Sequence, residues 1–176
     1  MKTLAVLMLL LPAAAQAAVA DSAPNGFTIK LSYTIQAAPN DVYQRLVHNV
    51  GDWWSSDHTF SHDAHNLSIE EKPMGCFCEK IPGGGAVRHL EVVNFAPGKT
   101  LVMTGGLGPM QPLAVAGSLT IALAPAGSGT KLDVTYAAGG YLAAGLNTWA
   151  APANGMLTEQ FDRLKLYVET GKPVAK

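Results

Sequence analysis

The stretch FTIKLSYTIQAAPNDVYQRLVHNVGDWW, residues Phe27 to Trp54, decides the fold. Phe27, Ile29, Leu31, Tyr33 and Ile35 are apolar and alternate with the polar Thr28, Lys30, Ser32, Thr34 and Gln36. Alternation this strict predicts a strand with one dry and one wet face. At Ala37-Ala38-Pro39-Asn40-Asp41 the period changes. Pro39 is preset for a first helical turn, where its missing N–H costs nothing, and Asn40 and Asp41 suit the positive end of the helix dipole. Val42, Leu46 and Val50 recur every fourth residue, so a short amphipathic helix is expected to stop at Gly51, just before Trp53-Trp54.

Upstream of this stretch the chain reads as a secretory signal peptide over residues 1–20. Lys2 supplies a positive start and Leu4 to Leu11 an apolar core. Ala15-Gln16-Ala17 and Ala18-Val19-Ala20 are equally acceptable small-x-small cleavage sites, so the cut falls after Ala17 or Ala20. The apolar run is too short to span a bilayer for good, and no lipoprotein cysteine follows it. The expectation is a periplasmic or secreted protein with no stable membrane anchor after cleavage. Roughly 156 to 159 residues then remain, enough for one domain, placed here at 26–172. Of the 12 Lys and Arg residues only Lys2 leaves with the leader, against 13 Asp and Glu. That balance offers no electrostatic footprint for nucleic acid or an anionic membrane.

Downstream, tight turns separate further strands. Leu67 to Lys72 alternates, Pro73-Met74-Gly75 turns into a strand at Cys76 to Ile81, and Pro82-Gly83-Gly84-Gly85 reads only as a turn. Ala86 to Phe95 returns as a long strand, and Ala96-Pro97-Gly98-Lys99 suits a type II turn before Thr100 to Gly105. Leu119, Ile121 and Leu123 alternate, then Leu132, Val134 and Tyr136. After a loose segment from Gly139 to Pro152, Leu157, Phe161, Leu164 and Val168 form the buried stripe of a long helix ended by Gly171 and Pro173. The fold class is α+β: a curved antiparallel sheet of about seven strands wrapped around a long C-terminal helix, with two short helices after the first strand. One helix covers only part of such a sheet, so side chains or a cavity fill the remainder.

The order of elements resembles the START-like helix-grip superfamily, also called SRPBCC, which includes polyketide cyclases and the birch-pollen allergen type. The likeness is carried by Ala38-Pro39-x-x-Val42-Tyr43-x-x-Leu46, Trp53-Trp54, Gly75-x-Phe77, and Glu91-Val92 with Pro97-Gly98-Lys99-x-Leu101. It covers about Phe27 to Gly171. The resemblance implies a deep apolar cavity between sheet and helix that takes hydrophobic or amphipathic ligands. Members include enzymes, carriers and interaction modules, so the fold alone does not fix the function.

The Cys76–Ile81 and Ala86–Phe95 pair carries the most suggestive polar groups. With Ile81 opposite Ala86, Cys78 faces His89, Cys76 faces Glu91 and Glu79 faces Arg88. Phe77, Glu79, Ile81, Arg88, Leu90 and Val92 then share a face, expected inside because it holds the larger apolar groups. Glu79 and Arg88 would orient a polar ligand head or move a proton there, or form an ordinary cross-strand salt bridge at the rim. Cys76, Cys78 and His89, with Glu91, could ligate zinc or copper, but a single Cys-x-Cys is poor metal spacing, and no metal is expected. A short-loop disulfide, two unreactive thiols or pairing with another protein are the alternatives. His58, His62 and His65 with Asp57 and Asp63 lack periodicity and read as a solvated loop, although His58 follows the tryptophans toward the cavity mouth. Each indole N–H needs a partner if both tryptophans are buried. The loop carrying Leu107, Pro109 and Met110 is either a lid or packed.

Nucleophile, zinc-protease, phosphate-loop and dinucleotide signatures are missing, and no cofactor is expected. The leading expectation is an exported protein binding a small hydrophobic or amphipathic ligand, with Trp54, His58, Phe77, Glu79, Arg88, Leu90, Tyr136, Leu157 and Phe161 lining the cavity. The alternatives are a cyclase, dehydratase or isomerase using Glu79 or a histidine as acid–base group, and a protein-interaction module.

Overall fold

The computed structural model describes residues 16–174; the leader's Lys2 and Leu4 to Leu11 lie outside the described residues. The chain runs β1 (Gln16–Ala23), β2 (Gly26–Ile35), α1 (Pro39–His48), α2 (Val50–Trp53), β3 (Leu67–Ile69), β4 (Cys76–Ile81), β5 (Gly85–Ala96), β6 (Thr100–Thr104), β7 (Ala114–Ala126), β8 (Gly129–Tyr141) and α3 (Asn147–Thr170). Single turns of 3-10 helix interrupt the loops at Ser56–His58, Ala64–Asn66 and Gly108–Met110. All strands join one antiparallel sheet in the order β1-β2-β8-β7-β6-β5-β4-β3. The sheet curves around α3, a helix-grip arrangement.

The alternation in β2 sets its orientation. Phe27, Ile29, Leu31, Tyr33 and Ile35 are all buried, and β8 continues their layer with Leu132, Val134 and Tyr136. Helix α1 begins at Pro39, as its sequence dictates, but ends at His48; Asn49 breaks it, and α2 restarts at Val50. The loop Ala96–Lys99 closes with Lys99 N–H on the Ala96 carbonyl and Gly98 at φ 70°, the type II geometry. Gly171 ends α3 in the left-handed conformation, its N–H bonded to the Tyr167 carbonyl.

Four expectations are corrected. The sheet has eight strands, because Gln16–Ala23 pairs with β2 ahead of the anticipated domain start, and both anticipated cleavage points fall within that strand. Strand β3 stops at Ile69, since Glu70 to Gly75 folds into a turn of its own. Helix α3 begins at Asn147, five residues before Pro152. A proline this early forfeits only the bond to the Thr148 carbonyl, which leaves a long packed helix intact.

The fourth correction concerns register. Ile81 pairs with Gly85 rather than Ala86, which places Glu79 opposite Val87 and Cys78 opposite Arg88. His89 is then an extra residue in β5, after which Phe77 faces Leu90 and Cys76 faces Glu91. This β-bulge turns the consecutive residues His89 and Leu90 both inward. A second bulge at Val93 bends the same strand again. Among the described residues no helix is long and apolar enough to cross a membrane.

Candidate functional site

The centre between sheet and helix is filled by aromatic rings. Tyr33 packs on Phe161, Phe161 on Trp53, Trp53 on Trp54, Trp54 on Phe77 and Phe77 on His89, with centroid separations of 5.2–6.4 Å. Both indoles find acceptors: Trp53 Nε1 donates to the Arg45 carbonyl and Trp54 Nε1 to the His58 carbonyl, each at 3.1 Å. Helix α3 holds this segment in place. Arg163 Nε donates to the Trp53 carbonyl at 2.8 Å, and Gln160 Oε1 accepts the Ser55 N–H at 2.7 Å.

The deep cavity therefore narrows to a pocket of about 160 Å³ at one end of the sheet. Trp54, Phe60, Leu107, Pro109 and Met156 form most of its wall, and Asp57, His58, Thr59, Gly108 and His89 complete it. Tyr136 supports the 107–109 side from behind. Its hydroxyl accepts the Leu107 N–H at 3.3 Å, and its ring occupies the space a Cβ at Gly117 would fill. On the opposite side His58 Nε2 lies 2.9 Å from Glu159 Oε2, joining the 56–58 turn to α3.

His89 is the polar group at the base of the pocket. Its side chain is 5% exposed, and Nε2 sits 2.9 Å from Oε2 of Glu79, which is fully buried. The same carboxylate accepts the Phe60 N–H at 3.1 Å and the Ser61 N–H through its other oxygen. Burial pushes the Glu79 carboxyl up, but the hydrogen bonds from Ser61, Phe60 and His89 outweigh it and hold the group below the usual range. Burial lowers His89, and the neighbouring carboxylate only partly restores it. The pair is thus a carboxylate beside a neutral imidazole. Glu79 has only lone pairs to offer, so the ring proton sits on Nε2 and Nδ1 carries a free lone pair. Nδ1 has no partner among the described residues. Among the described residues the sealed polar atoms without partners are Asn154 Oδ1, Thr158 Oγ1 and Gln160 Nε2, so Nδ1 is not sealed. His89 borders this pocket and, on the side of Arg88, Gly105 and Gln111, a second hollow of about 320 Å³. Phe60 stacks on one face of the imidazole, with centroids 6.0 Å apart.

Of the residues expected to line a cavity, Trp54 and His58 do so. Phe77, Leu90, Tyr136, Leu157 and Phe161 are fully packed in the interior, and Glu79 stands behind His89. The pairing of Glu79 with Arg88 is overturned. Arg88 points outward with 63% of its side chain exposed, its Nη1 2.6 Å from Glu91 Oε2, because the one-residue slip exchanges its face. His89, placed on the outer face from sequence, takes the inner position instead. The bulge that puts it there adds one residue to an apolar-rich run and leaves no compositional trace. Asp57, Thr59 and Phe60 were also missed as wall residues, because loop contacts follow no period, and Met156 because it lies off the Leu157–Val168 stripe of α3. The loop expected as either a lid or packed chain walls the pocket with Leu107 and Pro109, while Leu107 and Met110 are buried.

Cys76 and Cys78 form a disulfide with Cα atoms 5.2 Å apart, on the outer face of β4. His65 pairs with Asp63 at 3.1 Å, away from His58. Among the described residues no three histidine, cysteine or carboxylate side chains converge on a metal-sized site.

No family model matches this chain, and no curated protein does. Solved structures share its fold. A conserved protein of unknown function, EF2215 from Enterococcus faecalis, aligns with a TM-score of 0.62 at 16% identity, over 92% of this chain and 80% of its own. The Aha1 dimer from Colwellia psychrerythraea gives 0.59 at 19% identity, over 82% and 98%. DynU16, from the dynemicin biosynthetic locus, gives 0.59 at 20% identity over 83% of this chain and 48% of its own, so this chain spans about half of DynU16. At such identities the likeness establishes a shared helix-grip-type fold.

Proposed function

We propose that this chain is an exported START-like protein that binds one small, largely apolar molecule at the end of its sheet. The observation that carries the reading is the 160 Å³ pocket, walled by Trp54, Phe60, Leu107, Pro109 and Met156. That size matches a single ring: an engineered apolar cavity of about 150 Å³ takes benzene, whereas drug-sized ligands need roughly 300–1,000 Å³. Burying about 150–250 Å² of such a ring at about 25 cal/mol per Å² is worth roughly 4–6 kcal/mol. Before the cost of immobilising the ligand is subtracted, burial therefore sets a Kd no tighter than about 40 µM.

Titrating the protein with toluene while following the Trp54 indole and Met156 methyl resonances tests this. Saturable shifts at those two residues at submillimolar to millimolar ligand are expected. Unchanged spectra up to the solubility of toluene would reject the receptacle. Native mass spectrometry of protein purified from the exporting cell adds the resident ligand's mass.

The Glu79–His89 pair favours a second reading, an enzyme of the cyclase, dehydratase or isomerase type. A carboxylate orienting a neutral imidazole is the usual arrangement of a general base. Its test is a bell-shaped or sigmoid pH–rate profile on a ring-sized substrate that is abolished in His89→Phe.

A further inference from the structure

We propose that Nδ1 of His89 is the polar anchor of this pocket and accepts a hydrogen bond from the hydroxyl of a phenol-sized ligand. The inference rests on the receptacle reading and names the ligand class it would take.

Three features of the site select a neutral hydroxyl. First, the tautomer is imposed from behind. Both Glu79 oxygens are acceptors already facing N–H donors, so the imidazole must turn its N–H toward them, which leaves the Nδ1 lone pair as the unengaged polar atom of a side chain that borders the pocket. Second, the other polar side chains of the inner wall are engaged: Thr59 Oγ1 donates to the Ser56 carbonyl at 2.7 Å, and His58 is held by Glu159. Asp57 is exposed and stands at the mouth, in water. Third, two carboxylates, Glu79 behind the histidine and Asp57 at the rim, oppose an anionic head group. A carboxylate or phosphate ligand would meet a lone pair and like charge. A ring bearing one hydroxyl satisfies the lone pair and lays its faces against the aromatic and aliphatic wall. A buried acceptor discriminates well because a ligand without a donor leaves it unpaired.

The test compares phenol, anisole and toluene, which share ring size and differ in hydrogen-bond donation. Each is titrated into the full chain and into His89→Phe, which keeps a ring between Phe60 and Phe77 but has no acceptor. Phenol is expected to bind wild type roughly tenfold more tightly than anisole or toluene, and the three are expected to converge in His89→Phe. Ring 15N shifts of His89 in wild type supply a readout that needs no variant. Nδ1 should start in the unprotonated range and move upfield with phenol only. Equal affinity for all three ligands, or a protonated Nδ1 at neutral pH, overturns the anchor while leaving the receptacle standing. Failure of toluene and phenol alike removes the receptacle itself, and this inference with it.

Discussion

Replacing Glu79 with alanine deletes the acceptor for three donors at once: the Phe60 N–H, the Ser61 N–H and the ring N–H of His89. A buried donor left without a partner costs about 1–3 kcal/mol. The His89 N–H is sealed behind the pocket and bears the full penalty. The two peptide groups belong to a partly exposed loop and recover some of theirs by turning to water. Losing the carboxylate also returns the cost of burying it, which lowers the total. The net expectation for Glu79→Ala is a destabilisation of about 2–4 kcal/mol, a large fraction of the 5–15 kcal/mol typical of a domain. Glu79→Gln keeps one oxygen, but its NH₂ must then confront one of the three donors, so about 1–3 kcal/mol is lost there. Urea unfolding at neutral pH measures both, with unchanged slopes confirming that the denatured state is the same. Amide exchange at Phe60 and Ser61 should quicken in both variants. A Glu79→Ala protein within about 1 kcal/mol of wild type, with slow exchange at Ser61, would mean that the carboxylate does not organise this corner.

Other consequences follow from the same contacts. His89 is held below the ordinary 6.5 by burial, so the unfolded chain takes up its proton first; this contribution is complete above that value and is lost as pH falls through it toward the lower folded value. Glu79, held below the ordinary 4.5 by its donors against the opposing effect of burial, adds a second loss at lower pH. Stability measured from pH 7.5 to 5.5 should therefore decline more steeply in wild type than in His89→Phe, and parallel curves would contradict the assignment. Gly117→Ala would put a Cβ 2.7 Å from the Tyr136 hydroxyl and ring; a loss of about 1–3 kcal/mol is expected by thermal unfolding, largely rescued by Tyr136→Leu, and an unchanged melting temperature would count against it. The Cys76–Cys78 link closes a loop of three residues, so by the chain-entropy account its removal as a double serine variant should cost no more than about 1.6 kcal/mol. A loss above about 3 kcal/mol, read by urea unfolding, would show that it braces β4 by another route.

The fold was legible because its defining signals are local. Five alternating residues in β2, Pro39 at a helix start, Pro97-Gly98 at a turn and a four-three-four stripe in α3 each act within a few residues of themselves. The site was only half legible. Glu79 was placed on the inner face correctly, because β4 alternates without interruption. Its partner was not, because partner choice depends on a register fixed by one turn and one bulge. The turn leaves Gly85 as the residue opposite Ile81, and the slip this causes is undone at His89. Positions beyond the bulge, Leu90 and Val92, were therefore read correctly, while Arg88 and His89 exchanged faces. Polarity did not help, since a histidine beside an arginine looks solvated until a buried carboxylate claims it. Strand β1 was hidden for another reason: residues read as a leader carry no strand alternation.

Pocket size is decided by how α3 grips the 53–58 segment. A free Trp53-Trp54 loop could swing its rings toward solvent and leave the sheet hollow. Here Arg163, Gln160 and Glu159, within about one turn of α3, bind the Trp53 carbonyl, the Ser55 N–H and His58. These bonds fix the backbone on either side of Trp54, so its ring has only the interior to occupy, tilted against Trp53 and edge-on to Phe77. The same helix face presents Met156 to the pocket, one turn before Gln160. Filling the centre and leaving the end open are thus one event. The part of the wall made by Trp54 and Met156 is thus held by contacts within the chain, so a molecule that entered there would pay little to order it.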